Sequence, residues 1–71
     1  MTTQTFQVTG MTCDHCVHAV TEEIESVPGV TAVDVALVPS GTSTVTVEAD
    51  RTVADDEVAA ALDEAGAYAL A

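Results

Sequence analysis

The chain has almost no positive charge and almost no aromatic side chains. Arg51 is its single Lys or Arg, set against twelve Asp and Glu, for a formal net charge of −11. Binding to nucleic acid or to an anionic bilayer rests on basic side chains meeting phosphate, so neither partner fits. The acidic excess favours solubility and a basic or metal-ion partner without identifying one. Adaptation to a salty or crowded cytosol explains it at least as well. Tryptophan is absent, and Phe6 and Tyr68 are the only aromatics, so the core must be built from Val, Ile, Leu and Ala. No run approaches the roughly 18 apolar residues that span a bilayer. Residues 1–5 carry neither the basic nor the apolar region of a secretory signal. The expected location is therefore the cytosol, where thiols stay reduced. Seventy-one residues are read as one domain over 1–71, with a core too small to enclose a large substrate. A hydrophobic share of 48% argues against disorder.

Cysteine is also scarce, but the two present stand two residues apart, at Cys13 and Cys16, behind the turn-like stretch Thr9-Gly10-Met11-Thr12. An apolar-periodic helix starts immediately after them. At a helix N-terminus, backbone N–H groups and the positive end of the dipole favour thiolate. Thiolate binds soft metals and carries out thiol exchange, so specific chemistry here must run through these two sulfurs.

The remaining pattern orders the chain. Phe6 and Val8 alternate with Thr5, Gln7 and Thr9, which predicts a strand over residues 3–9. Val17, Val20, Ile24 and Val27 recur at helical spacing, opposite Glu22, Glu23 and Glu25, up to a stop at Pro28-Gly29. Val33, Val35 and Leu37 mark a second strand over 30–38, and Pro39-Ser40-Gly41-Thr42 supplies a turn. Val45, Val47 and Ala49 mark a third strand that pairs with the second as a hairpin. Thr52-Val53-Ala54-Asp55 reads as a capping box with Asp in place of Glu. The second helix carries a stripe of Val53, Val58, Ala61, Leu62 and Ala65, with Gly66 as its C′ residue. Residues 67–71 form a short last strand with Tyr68 and Leu70 on one face. This β-α-β-β-α-β order predicts an α+β, ferredoxin-like two-layer sandwich: a four-stranded antiparallel sheet with both helices on one face. The first loop and the loop after the second helix then share one end of the sheet, bringing residues 66–68 near the cysteines.

Several chemistries compete for the pair. A structural zinc site needs four converging ligands, and the others of that class, His15 and His18, crowd with the cysteines into six residues. A c-type haem site needs His directly after the second Cys, where Val17 stands. A thioredoxin-like redox pair needs a βαβ core that this element order does not provide. An enzyme nucleophile needs a base and a pocket. Two thiolates without an obvious third ligand favour a two-coordinate soft monovalent ion, Cu(I) above all. Cys16, one turn before Val20, should lean toward the core, and Cys13 should be more exposed, an asymmetry suited to metal transfer.

Neighbouring residues are weighed in the same way. His15 is either a third, transient ligand that tunes thiolate charge or a solvated loop side chain, and the second is favoured. His18 faces another side of the helix and reads as surface. Asp14 could cap the helix, but its charge opposes thiolate formation. Met11 is better placed as an apolar prop packed against the second helix than as a thioether ligand. Tyr68 either screens a bound ion or fills the core.

At Gly10-Met11-Thr12-Cys13-Asp14-His15-Cys16 the chain resembles the heavy-metal-associated domain family, which includes cytosolic copper chaperones, N-terminal domains of copper-exporting P-type ATPases, and mercury-binding proteins. The likeness extends over essentially all 71 residues, through Val27-Pro28-Gly29-Val30 and Glu64-Ala65-Gly66. It implies that Cys13 and Cys16 bind Cu(I) linearly, that Met11 packs beneath the loop, and that copper passes to a partner's cysteines through a three-coordinate intermediate. Many bacterial members place a Tyr directly after the last-loop Gly; here Ala67 stands there and Tyr68 follows. A chain running from Met1 to Ala71 looks more like a stand-alone chaperone than a piece of an ATPase. The resulting expectation is a non-enzymatic, cytosolic copper chaperone, monomeric without metal, which hands Cu(I) to the metal-binding domain of a copper-transporting P-type ATPase. A metal-bridged dimer is a further possibility. The rival readings are a mercury or other soft-metal carrier and a thiol–disulfide redox module.

Overall fold

The computed structural model describes residues 1–11, 14–38, 41–66 and 68–71, with Asp14 described by its backbone alone. The expected order is observed as β1 (Thr2–Thr9), α1 (Asp14–Glu25), β2 (Val30–Ala36), β3 (Ser43–Ala49), α2 (Asp55–Ala65) and β4 (Ala69–Leu70). The strands lie in the order β2-β3-β1-β4, and every pairing is antiparallel. This is the predicted ferredoxin-like arrangement.

Strand alternation decides which face is covered. Register sets Phe6 opposite Val45 and Val45 opposite Val35, while Gln4 faces Val47 and Val47 faces Val33. These positions point at the helices, and Phe6, Val8, Val45, Val47 and Ala49 are buried there with Val20, Ile24, Val58, Ala61 and Leu62. Burying each of the larger of these side chains stabilises the fold by about 1.5–3 kcal/mol. The opposite sheet face carries Thr3, Thr5, Gln7, Asp34 and Glu48, all exposed. At Thr31 the β2–β3 register shifts between Val30 and Ala32. The shift lets Val30 pack against the core alongside Val33 and Val35.

The helices differ from expectation in their ends. In α1 the stripe is headed by Cys16, which packs against the core ahead of Val20 and Ile24; Val17 lies beside it, half-buried. The helix stops at Glu25, before Pro28-Gly29. There Ser26 turns its hydroxyl back to the Glu22 carbonyl (3.0 Å), and Ser26 and Val27 donate to Glu23 and Ile24 in tightened i→i−3 bonds. Gly29 has φ +90°, and a Cβ there would collide with the Asp50 carboxylate. Strand β2 ends at Ala36, two residues short of expectation, β3 starts at Ser43, one residue before Thr44, and β4 is Ala69–Leu70, with Ala71 N–H donating to Gln7 O (2.8 Å). The Pro39-Ser40 turn lies outside the described residues.

The capping box predicted at Thr52–Asp55 is instead displaced by two residues. Ala54 occupies the N-cap, and Glu57 at N3 accepts from the Ala54 N–H at 3.2 Å. Alanine has no side-chain acceptor, so only this return arm of the box is made. Val53, expected within the helix, precedes it at N′ and is buried with Val58 at N4, the two positions of a hydrophobic staple.

Two long-range clamps hold the β3–α2 segment. The Gln4 side-chain amide accepts from Val53 N–H (2.7 Å) and donates to Val53 C=O (3.0 Å), extending the sheet's bonding beyond its last strand residue. Arg51 donates to Pro28 O (3.0 Å), Thr52 O (3.1 Å) and both carboxylate oxygens of Glu57 (2.9 and 2.6 Å). The chain's one basic side chain thus ties the turn after α1 to the start of α2. Its guanidinium, followed by the Ala54 N–H, holds the Glu57 carboxyl at about 2, below the ordinary 4.5.

A folded-state value below the unfolded one contributes stability that is present above about pH 4.5 and is lost as pH falls toward about 2. Glu57→Gln should therefore lower the urea midpoint at pH 7, and the gap to the native chain should close over that window. Because the pair is over a third exposed, 1 M NaCl should narrow the gap as well. Equal midpoints at pH 7 and pH 2 would show that the pair contributes nothing.

Candidate metal-binding end of the sheet

The register places the cysteine loop. Val8 pairs with both Ser43 and Leu70, and Thr9 pairs with Ala69, so the end of β1, the β2–β3 turn and the α2–β4 connection meet at one end of the sheet. Both flanks of the loop are anchored by apolar burial. On the strand side, Met11 is 1% exposed and belongs to the core. It acts as the apolar prop, and its thioether is withdrawn from the surface. On the helix side, Cys16 sits in the first turn of α1, half-buried against the core cluster. Its sulfur therefore leans inward as expected, at a helix end whose backbone N–H groups favour an anion. Cys13, the expected exposed member of the pair, lies outside the described residues, as does Thr12.

His15 and His18 are exposed on α1. Among the described residues, no three His, Cys, Asp or Glu side chains converge on a point that could hold an ion. The described part of the first turn of α1 supplies one inward-leaning sulfur and an exposed imidazole.

Tyr68 is half-buried and packs against the core, as the core-filling alternative requires. Its ring lies on Gly66, where a Cβ would come within 3.0 Å of Tyr68 Cε2. Gly66 has φ +156°, and its N–H donates to Leu62 O (3.1 Å), closing the last turn of α2. Sequence reasoning saw Gly66 as a helix stop; its second role, leaving room for the ring two residues on, had no local signal. Ala67 lies outside the described residues. At the β2–β3 turn, Val38 N–H donates to the buried Ser43 hydroxyl (2.9 Å), and Val38 itself is 46% exposed.

The comparisons agree with this geometry. The heavy-metal-associated domain model matches residues 5–67, and the chain belongs to that family. A protein named copper chaperone CopZ from Bacillus subtilis is 39% identical over 66 residues, covering 93% of both chains. A second of that name, from Staphylococcus saprophyticus, is 51% identical over 37 residues, 52% of this chain and 54% of the relative's length. Among solved structures, a CopZ metallochaperone superposes with TM-score 0.81 at 30% identity over 99% of this chain and all of that one. The yeast copper transporter domain Ccc2a, solved in apo and Cu(I)-loaded states, shares the fold with TM-score 0.75 at 24% identity, covering 97% and 93% of the two chains.

Gly66→Ala should cost about 1 kcal/mol or more, because alanine resists this φ and its methyl presses on the ring. Tyr68 is the only Tyr in a chain without Trp, so its emission reports the displacement directly. Unchanged acrylamide quenching together with an unchanged urea midpoint would show that the contact is incidental.

Proposed function

We propose that this protein is a copper chaperone that carries one Cu(I) between the sulfurs of Cys13 and Cys16. The observation that carries the reading is the half-buried Cys16 at the first turn of α1, within a Cys-x-x-Cys pair on a heavy-metal-associated fold. The relatives named copper chaperone CopZ support the choice of copper. Thiolates are soft donors matched to Cu(I), which accepts two-coordinate geometry. Mercury carriage would use the same sulfurs, but the named relatives favour copper. The all-antiparallel sheet counts against a thioredoxin-like redox module.

Delivery follows from the same chemistry. An incoming thiolate of the partner adds to the ion to form a three-sulfur intermediate, and one of this chain's sulfurs then departs. Repeating the step moves the ion completely, each Cu–S bond made before another is broken, with copper remaining Cu(I) throughout. The proposed recipient is the metal-binding domain of a copper-transporting P-type ATPase, and the proposed setting is the cytosol, where both thiols stay reduced. No helix among the described residues is long and apolar enough to cross a membrane. His15 and Tyr68 flank the site as secondary candidates. The exposure of His15 and the core packing of Tyr68 support a reading in which the two sulfurs hold the ion.

Anaerobic competition against a strong Cu(I) chelator tests the assignment. The native chain should retain one Cu(I), and X-ray absorption should show sulfur alone in its first shell. Cys13→Ser and Cys16→Ser should each surrender the ion to the chelator while keeping the native circular dichroism spectrum. Retained affinity in either variant would overturn the two-sulfur site.

A further inference from the structure

Metal carriage leaves the concave surface between the two helices unused. Between the end of α1 and one face of α2, from Glu57 to Glu64, lies an open groove of about 320 Å³. Its floor is apolar, formed by Val27, Ala60 and Ala61, and its rim carries Glu23, Glu57 and Glu64. Glu57 is engaged by Arg51, the one salt bridge among the described residues. Glu23 and Glu64 meet no cation among the described residues, because Arg51, at the Pro28–Glu57 edge of the groove, is already committed to four hydrogen bonds. Glu23 lies seven residues beyond Cys16, about 10 Å along the helix. Glu64 lies near the end of α2, and the groove uses no residue of the cysteine loop.

We propose that this groove docks a cationic peptide segment of a partner protein, in which Lys or Arg residues flank a small apolar side chain. The alanines leave room for that apolar group to shed water against Val27. The two uncompensated glutamates then meet the flanking cations at a partly desolvated rim, where opposite charge contributes most to selection and on-rate. Charge excludes the other occupants. A second copy brings another −11 and an already committed Arg51, and nucleic acid and anionic lipid are repelled. Docking here uses no residue of the cysteine loop, so it requires neither metal nor the two sulfurs.

The test uses the ¹⁵N-labelled full chain, metal-free and under reductant. It is titrated with the acetylated, amidated peptide Lys-Ala-Leu-Lys-Ala-Lys, its Glu-for-Lys counterpart and spermine. Amide shifts should cluster at Glu23, Val27, Ala60 and Glu64 with the cationic peptide alone. The double variant Glu23→Gln, Glu64→Gln should bind it about five- to tenfold more weakly. The double variant Asp34→Asn, Glu48→Gln removes the same charge from the open sheet face and should bind as the native chain does. Equal weakening in both double variants, shifts spread over both faces, or spermine competing as well as the peptide would reduce the effect to general cation attraction and overturn the proposal. Failure here would leave the copper assignment untouched, since that rests on different residues and a different readout.

Discussion

Burial on both sides of one short loop is the constraint from which the candidate site follows. Met11 enters the core from β1, and Cys16 leans into it from α1, so residues 12–15 are spanned between two apolar anchors. An anchor made of packing uses no polar group that would compete for a soft ion. It also explains why Met11 belongs with the scaffold: a thioether held at 1% exposure supports the loop from beneath and is not presented to an ion on the surface. The proposed metal chemistry then needs only two sulfurs at a helix end, because the core has already fixed where that end lies.

The opposite end of the sheet is organised by polar contacts. Arg51 joins the turn at Pro28 to the first turn of α2, while Gln4 grips the backbone of Val53. With one Lys or Arg in the chain, its guanidinium is committed to this clamp, the one salt bridge among the described residues. The acidic surface thus has a positional meaning that net charge alone does not convey. Its uncompensated members line a groove on the helical face and lie scattered across the open side of the sheet.

Much of this arrangement was legible beforehand. Alternation at Phe6 and Val8, and again at Val45, Val47 and Ala49, identified strands and their inward faces correctly, because side-chain direction in a strand is a period-two property. The Cys-x-x-Cys spacing and the turn residues before it suggested the proposed chemistry, since few reactions use two soft sulfurs so close in sequence. Element ends were less legible. Ser26 ends α1 early through its own hydroxyl, and α2 begins at an alanine that offers no side-chain acceptor, where Glu57 accepts from the alanine's own N–H. Both outcomes turn on competition between individual hydrogen bonds, which apolar periodicity does not register.

What the amino-acid order determined by itself was the succession β-α-β-β-α-β, the inward set on each strand and helix, and the pair of sulfurs at the head of α1. These depend on neighbours within a turn or two of the chain. Tertiary structure alone decided the reach of Arg51 from Pro28 to Glu57, the grip of Gln4 on a residue 49 positions away, the ring of Tyr68 lying on Gly66, and the groove closed by α1 against α2. Each of these joins groups brought together only when the sheet adopts the order β2-β3-β1-β4, and short-range pattern carries no information about distances across a fold.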